Sequence, residues 1–173
     1  MNEKKALEMT PDVSLSEIFA RCLEKYGSLS SPSFLFVRQA ADQAPYAALL
    51  ERLKEWFEIL DDTDLNDDVC FFYVLRRNGK VWSLLLSMVG PYGLFMRADE
   101  PRCVVLTSAS SDLPDIERTT MDVVRSEGVQ LLGSHTLEQP IALNLWPTEP
   151  DGVCLFQALF TDSSVFPWRG LEF

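Results

Sequence analysis

The apolar runs and short polar turns between residues 69 and 97 predict an antiparallel meander at the centre of this chain. Two runs rich in β-branched and aromatic residues, Val69–Leu75 and Val81–Val89, are separated by a polar segment that contains Asn78 and Gly79. Asn-Gly between two such runs favours a type I′ turn, because both central residues of that turn need positive φ. The segment therefore predicts a β-hairpin.

The hairpin turn also predicts the register of the two strands, with Arg77 opposite Lys80. One face then carries large apolar pairs and is the expected core face: Leu75–Trp82, Tyr73–Leu84, Phe71–Leu86 and Val69–Met88. The opposite face is smaller and mixed: Arg76–Val81, Val74–Ser83, Phe72–Leu85 and Cys70–Ser87. A second turn at Gly90–Gly93 and a third strand at Leu94–Arg97 extend the sheet.

The first predicted helix begins at Ser14 and stops at Gly27. Ser14 and Glu17 have the spacing of a capping box, and Val13 and Ile18 have that of a hydrophobic staple. One apolar stripe follows at helical spacing: Leu15, Ile18, Phe19, Cys22, Leu23 and Tyr26. The run Phe34–Val37 after this helix is short and apolar, and it predicts a short strand.

A second helix is predicted from Pro45 to Leu60, because Pro suits the first turn and a wide stripe follows at 3.6-residue spacing. The stripe comprises Tyr46, Leu49, Leu50, Leu53, Trp56, Phe57 and Leu60. We expect it to pack on the core face of the hairpin. A third helix is predicted from Pro114 and Asp115 to about Glu127.

The remaining apolar runs predict further strands. These are Cys103–Thr107, Ile141–Trp146 and Val153–Phe160, with Val129–Leu132 open between a strand and an extended link. The prediction is one α+β domain over 13–169, with an antiparallel sheet of five to seven strands, two N-terminal helices packed on it and a third helix at an end. Residues 1–12 are predicted to be a flexible leader, and 170–173 are either native or a tail derived from a cloning vector.

Composition and charge narrow the function classes. The 173 residues carry a formal net charge of −11, which argues against nucleic-acid binding and is compatible with a basic protein partner. No apolar run reaches the roughly 20 residues of a membrane span, and no secretory signal follows Met1. We therefore expect a cytoplasmic protein that binds neither membrane nor nucleic acid, and the oligomeric state stays open.

The chain offers few residues for nucleophilic or metal chemistry. The four cysteines lie far apart in apolar runs, which predicts reduced, buried thiols: Cys22, Cys70, Cys103 and Cys154. His135 is the only histidine, and it lies in a predicted loop without a spacing that indicates a zinc site or a catalytic triad. We expect no cofactor, no metal and no catalytic residue that the sequence can identify.

The densest charge run lies between the second helix and the hairpin, from Asp61 to Asp68, and we call it the acidic loop. Its aspartates are Asp61, Asp62, Asp64, Asp67 and Asp68. Asp62, Asp64 and Asn66 match the first three ligands of an EF-hand, but Asp67 stands where that loop needs glycine. The simpler interpretation of the acidic loop is a solvated turn. The more specific interpretation is a docking site for a basic protein partner.

Three functional hypotheses follow. The first is a non-enzymatic acidic protein-binding module, such as an immunity or inhibitor protein for a basic bacterial toxin, or an effector chaperone. The second is a small-molecule or regulatory domain with a pocket between sheet and helices. The third is an enzyme whose acid–base residues have no sequence signature, and a purely structural subunit completes the alternatives.

Overall fold

The computed structural model describes residues 14–145 and 148–170. Within these ranges the helices are α1 Leu15–Tyr26, α2 Leu35–Gln43, α3 Ala47–Leu53, α4 Asp115–Ser126, α5 Ser134–Leu137 and α6 Leu155–Leu159. The strands are β1 Glu58–Asp61, β2 Cys70–Arg77, β3 Lys80–Ser87, β4 Tyr92–Asp99, β5 Arg102–Val105 and β6 Gln130–Leu131. A 3₁₀ turn covers Pro150–Gly152. The leader predicted at 1–12, the staple residue Val13 and most of the predicted tail lie outside the described residues.

The strands form one open sheet in the order β1-β2-β3-β4-β5, with all neighbours antiparallel. The start of β4 also pairs with β6 in parallel, through Tyr92–Gln130 and Gly93–Leu131. The sheet and its helices form a single α+β domain, as predicted. In the described ranges, no helix has the length and apolar character required to cross a bilayer.

The hairpin follows the predicted register throughout. Arg77 pairs with Lys80, and the ladder continues to Cys70 and Ser87. Asn78 and Gly79 have φ of 50° and 74°, as the type I′ turn requires. Beyond the ladder, the Met88 N–H donates to the Val69 carbonyl oxygen at 2.9 Å.

The predicted core face is buried along its whole length, and two helices cover it. Tyr46, just before α3, packs its ring on Phe71 with centroids 5.7 Å apart. Phe57 packs on Trp82 at 5.4 Å, and Trp56 is half-buried against the core. α4 lies on the same face, where the buried Glu117 accepts a hydrogen bond from Trp82 Nε1 at 2.8 Å. The aromatic packing expected of the 45–60 segment is confirmed.

Helices cover the opposite face of the sheet at the end away from the hairpin turn. Ser87 Oγ donates to the Leu159 carbonyl oxygen at 2.7 Å, which seats α6 against this end. α1 joins α6 there, since Tyr26 Oη donates to the Ala158 carbonyl oxygen at 2.6 Å. Towards the turn, Phe72 and Val74 remain half-buried.

The first helix has the predicted bounds, and the second is shorter than predicted. α1 is capped by Ser14, whose side chain accepts from the Glu17 N–H at 3.4 Å, and it ends before Gly27. The second predicted helix ends at Leu53, because Glu58–Asp61 pairs with β2 as an edge strand instead. The Leu60 side chain, expected inside, is 49% exposed. Backbone pairing with β2 overrides the helical spacing of this segment.

Three predicted strands are wrong. Phe34–Val37 belongs to α2, whose inward side holds Phe36 and Val37. Val153–Phe160 contains α6, and 141–145 is irregular and has no place in the sheet. Residues 155–159 are all buried and Gln157 is their single polar residue, so they lack the regular polar positions that separate a helical pattern from a strand pattern. Trp146 lies outside the described residues.

The other late elements agree with the sequence more closely. α4 lies within the predicted third helix, and β5 covers most of the predicted strand at Cys103–Thr107. For Val129–Leu132, where the sequence left a strand and an extended link open, the structure has the short strand β6. The aromatic segment near the C-terminus packs Trp168 on Phe156 with ring centroids 5.1 Å apart. The Pro167 carbonyl oxygen accepts from the Cys103 N–H at 2.8 Å, so this segment protects the edge strand β5.

Candidate acidic groove

The acidic loop divides into two parts that serve different purposes. Asp61 and Asp64 accept hydrogen bonds within the loop, from the N–H of Thr63 at 3.0 Å and of Asn66 at 2.9 Å respectively. Such contacts are turn chemistry, which aspartate provides because its short side chain reaches the backbone two residues ahead. With Asp62, these residues form the outer part of the loop.

The inner part of the loop pairs with a distant segment of the chain. The Val69 N–H donates to the Phe160 carbonyl oxygen at 2.8 Å, and the Asp162 N–H donates to the Asp67 carbonyl oxygen at 3.4 Å. Between these bonds, Asp68 and Thr161 form an isolated antiparallel bridge. The pairing brings a third carboxylate, that of Asp162, beside those of Asp67 and Asp68.

These three carboxylates form one wall of a groove with a volume of about 800 Å³. We call this site the acidic groove. Its lining also includes the apolar side chains of Phe34 and Leu35 at the start of α2 and of Leu65 from the loop, which we call its apolar wall. Tyr26, Val69 and Gln157 are among the buried residues that line it. The groove lies between helices and loops at the start of β2, beside the sheet and not between a sheet face and a helix.

The apolar wall is unusually open to solvent for large side chains. Phe34 is 46% exposed, Leu35 76% and Leu65 47%. Single exposed apolar residues are ordinary, but apolar residues that gather at a groove indicate a binding surface. This gathering was not predictable from the sequence, which indicated a strand for Phe34 and Leu35.

The acidic wall lacks a cationic partner. Among the described residues, no Lys, Arg or His side chain makes a salt bridge with Asp67, Asp68 or Asp162. Burial raises the pKa of the Asp68 carboxyl, the nearby charges of Asp64 and Asp67 raise it further, and hydrogen bonds from Thr161 and the Asp64 N–H oppose the rise. The carboxylate form of Asp68 is therefore costly here unless a cation approaches.

The lining also contains groups of other character. Burial, with help from the nearby charge of Asp162, raises the pKa of Tyr26, so its hydroxyl stays neutral and donates to Ala158. Arg38 of α2 lines the groove and is exposed, with no salt bridge among the described residues. The groove thus carries three carboxylates and one guanidinium.

The remaining sequence candidates lie elsewhere. His135 is exposed on α5, away from the acidic groove. Three of the four cysteines are buried and Cys103 is half-buried, and burial raises the pKa of Cys22 to about 12. Thiols of this kind are poor nucleophiles. Over 14–145 and 148–170, no group of three or more His, Cys, Asp and Glu residues is arranged to hold a metal ion.

The smaller, mixed face of the hairpin presents less exposed apolar surface than the groove does. Phe72, Val74 and Val81 are half-buried, and Leu85 is buried at 5% exposure. The groove, in contrast, combines exposed apolar groups with unpaired charge. It is the better candidate.

Comparison with known proteins adds no assignment, since no protein-family model, curated protein or solved structure matches this chain. The argument for function rests on the groove itself.

Proposed function

We propose that this protein is a non-enzymatic binding module that holds a basic protein partner in its acidic groove. The observation that carries the proposal is that two groups of side chains line the same groove. One is the carboxylates of Asp67, Asp68 and Asp162, which make no salt bridge within the described residues, and the other is the exposed apolar side chains of Phe34 and Leu35. Apolar contact supplies affinity, and charge complementarity supplies orientation and a faster encounter.

The charge of the whole chain supports a basic partner. A net charge of −11 attracts cationic surfaces over several ångströms at low ionic strength and repels nucleic-acid phosphates. An immunity or inhibitor protein that blocks a basic toxin enzyme, and a chaperone of a secreted effector, are the two forms that we propose for this binding. Free cysteines support a reducing, cytoplasmic site of action.

The structure supplies a matched pair of variants that tests the proposal. The groove variant changes Asp67, Asp68 and Asp162 to Asn. The loop variant changes Asp61, Asp62 and Asp64 to Asn, and so removes the same charge from the same region outside the groove. Asn retains a side-chain oxygen that accepts the local hydrogen bonds, so both variants should fold.

The partner is first isolated from the source cell with the wild-type protein, and association rates are then measured at low and high salt. We expect the groove variant to associate at least about tenfold more slowly at low salt and to lose most of the salt dependence, whereas the loop variant changes the rate only slightly. Equal slowing by both variants would show that net charge matters and the groove does not. Unchanged rates for both would refute the proposal.

A small-molecule binding domain is the second candidate, and two observations favour it. The groove volume of about 800 Å³ lies within the range of ligand pockets, roughly 300–1,000 Å³. Arg38 lines the same groove as Asp68 and Asp162, so a ligand with both an anionic and a cationic group could be held. Native mass spectrometry of the protein purified from its source distinguishes the two candidates, because a bound metabolite adds a defined mass of a few hundred daltons.

A further inference from the structure

The buried side chain of Gln157 reveals what the acidic groove can recognise besides charge. Gln157 lies on α6 and is only 2% exposed. Its side-chain oxygen Oε1 accepts hydrogen bonds from the Cys154 backbone N–H at 2.7 Å and from the Cys154 thiol at 2.9 Å. A backbone N–H can only donate, so the orientation of this amide is fixed and its Nε2 must lie on the other side.

The Nε2 atom of Gln157 has no hydrogen-bond partner among the residues that the structure describes. Every fully buried side-chain nitrogen and oxygen in that part of the chain does have one. Nε2 must therefore retain contact with solvent, and the groove that Gln157 lines supplies it. A buried amide with an unused donor indicates a site where an external acceptor completes the hydrogen bond.

Three kinds of contact thus converge in one groove. The wall of Asp67, Asp68 and Asp162 attracts a cation, the wall of Phe34 and Leu35 accepts a large apolar group, and Gln157 offers a hydrogen-bond donor. A metal ion would use only the first contact, and a folded basic surface would not reach an amide that is 2% exposed. An extended peptide uses all three, through its basic side chain, its apolar side chain and its main-chain carbonyl oxygen.

We propose that the acidic groove binds an extended peptide segment in which a basic residue adjoins a large apolar one, and that Gln157 Nε2 donates to a main-chain carbonyl oxygen of that segment. This inference rests on the proposed function and names the part of the partner that enters the groove. A volume of about 800 Å³ accommodates a short segment of this kind.

The test uses the full chain labelled with nitrogen-15 and three synthetic peptides, acetylated and amidated, at low salt. One peptide has three Leu-Arg repeats, and its controls replace Leu by Gly or Arg by Glu. We expect the Leu-Arg peptide to shift the side-chain NH₂ signals of Gln157, which report the proposed hydrogen bond directly. The Gly-Arg peptide should bind about tenfold more weakly because it lacks apolar contact, and the Leu-Glu peptide should leave the groove signals unchanged.

The variant Gln157→Glu sharpens the test, because it keeps an oxygen for the Cys154 N–H and replaces the donor NH₂ by a second oxygen. Its added negative charge alone would tighten binding of a basic peptide. Loss of a hydrogen bond should instead raise the Kd for the Leu-Arg peptide by about two- to tenfold. Tighter binding by this variant would overturn the inference.

The inference and the proposed function can fail separately. Shifts of the Asp67 and Leu65 backbone signals without any shift of the Gln157 NH₂ signals would overturn the peptide hydrogen bond and leave the basic partner in place. Equal affinity for the Leu-Arg and Gly-Arg peptides, or no binding of either, would also overturn the inference. The proposed function fails if the groove variant associates with the native partner at an unchanged rate, or if the loop variant slows association by as much as the groove variant.

Discussion

Replacing Glu117 should destabilise this protein far more than replacing any ordinary surface carboxylate. Glu117 belongs to α4, is 1% exposed and contacts both Trp82 and Arg97. Its Oε1 accepts from Trp82 Nε1 at 2.8 Å, and both of its oxygens accept from Arg97 Nη1 at 2.9 Å. The carboxylate therefore satisfies a buried indole N–H and neutralises a half-buried guanidinium at once.

The magnitude follows from what the change Glu117→Ala leaves behind. The Trp82 N–H loses its partner inside the core, which costs about 1–3 kcal/mol. Arg97 loses its counter-charge, and its 30% exposure makes this a smaller cost than for a fully buried ion. We expect a total loss of about 3 kcal/mol, which lowers Tm by about 6–12 °C in a domain of this size. Glu117→Gln, whose amide oxygen can still accept from Trp82, should lose about half as much.

Urea unfolding at pH 7, followed by tryptophan fluorescence, measures these losses in the free energy of unfolding. Asp122→Ala is the matched control, since Asp122 lies on the same helix, is 76% exposed and pairs with Arg125 only at the surface. The control should change stability by less than about 0.5 kcal/mol. High salt should leave the Glu117 loss in place because the pair is buried. The reasoning is refuted if Glu117→Ala costs no more than Asp122→Ala.

Two further predictions follow. Gly79→Val should cost about 1–3 kcal/mol of unfolding free energy, because a β-branched residue resists the φ of 74° in the hairpin turn; an unchanged Tm would refute the turn as described. Alkylation without reductant should label all four cysteines only after unfolding, because burial raises the pKa of every thiol: Cys22, Cys70, Cys103 and Cys154. Any disulfide found would contradict this prediction.

The hairpin was predictable because its determinants are local. Asn78 and Gly79 specify the turn, and the two-residue repeat of a strand then assigns every side chain to a face. The same holds for α1, where Ser14 and Gly27 mark the ends. Elements without such local signals were mispredicted. The segment 58–61 continues the helical spacing of the residues before it, but in the structure its backbone pairs with β2 as an edge strand. Its own residues give no local signal of that pairing.

Half of the groove was predictable, and the other half depends on tertiary structure. Asp67 and Asp68 belong to an evident charge run in the sequence. Asp162 lies near them only because backbone hydrogen bonds pair its segment with residues 67–69. Gln157 did leave a signal, as the one polar side chain in the apolar run 153–160. A polar group in such a run must find a buried partner, so it can be singled out from sequence even when its partner cannot.

Asp68 separates the requirements of folding from those of binding. Burial raises the pKa of Asp68 in the folded state, so folding disfavours its ionised form. This penalty in the free energy of unfolding grows as the pH rises from the unfolded-state pKa, about 3.9, through the folded-state pKa. Asp68→Asn removes this penalty while keeping a hydrogen-bond acceptor. The variant should therefore be more stable than wild type at pH 7, and the difference should vanish in acid, where both side chains are neutral.

The same desolvation that disfavours the Asp68 carboxylate strengthens its attraction to a cation in the acidic groove. Asp68→Asn should therefore gain stability and lose affinity for a basic partner, a trade-off typical of residues kept for function. Thermal unfolding between pH 3 and pH 8 and binding of the Leu-Arg peptide at pH 7 measure the two effects on one variant. A variant that gains stability and binds the peptide as tightly as wild type would leave this half-buried charge without a role in binding.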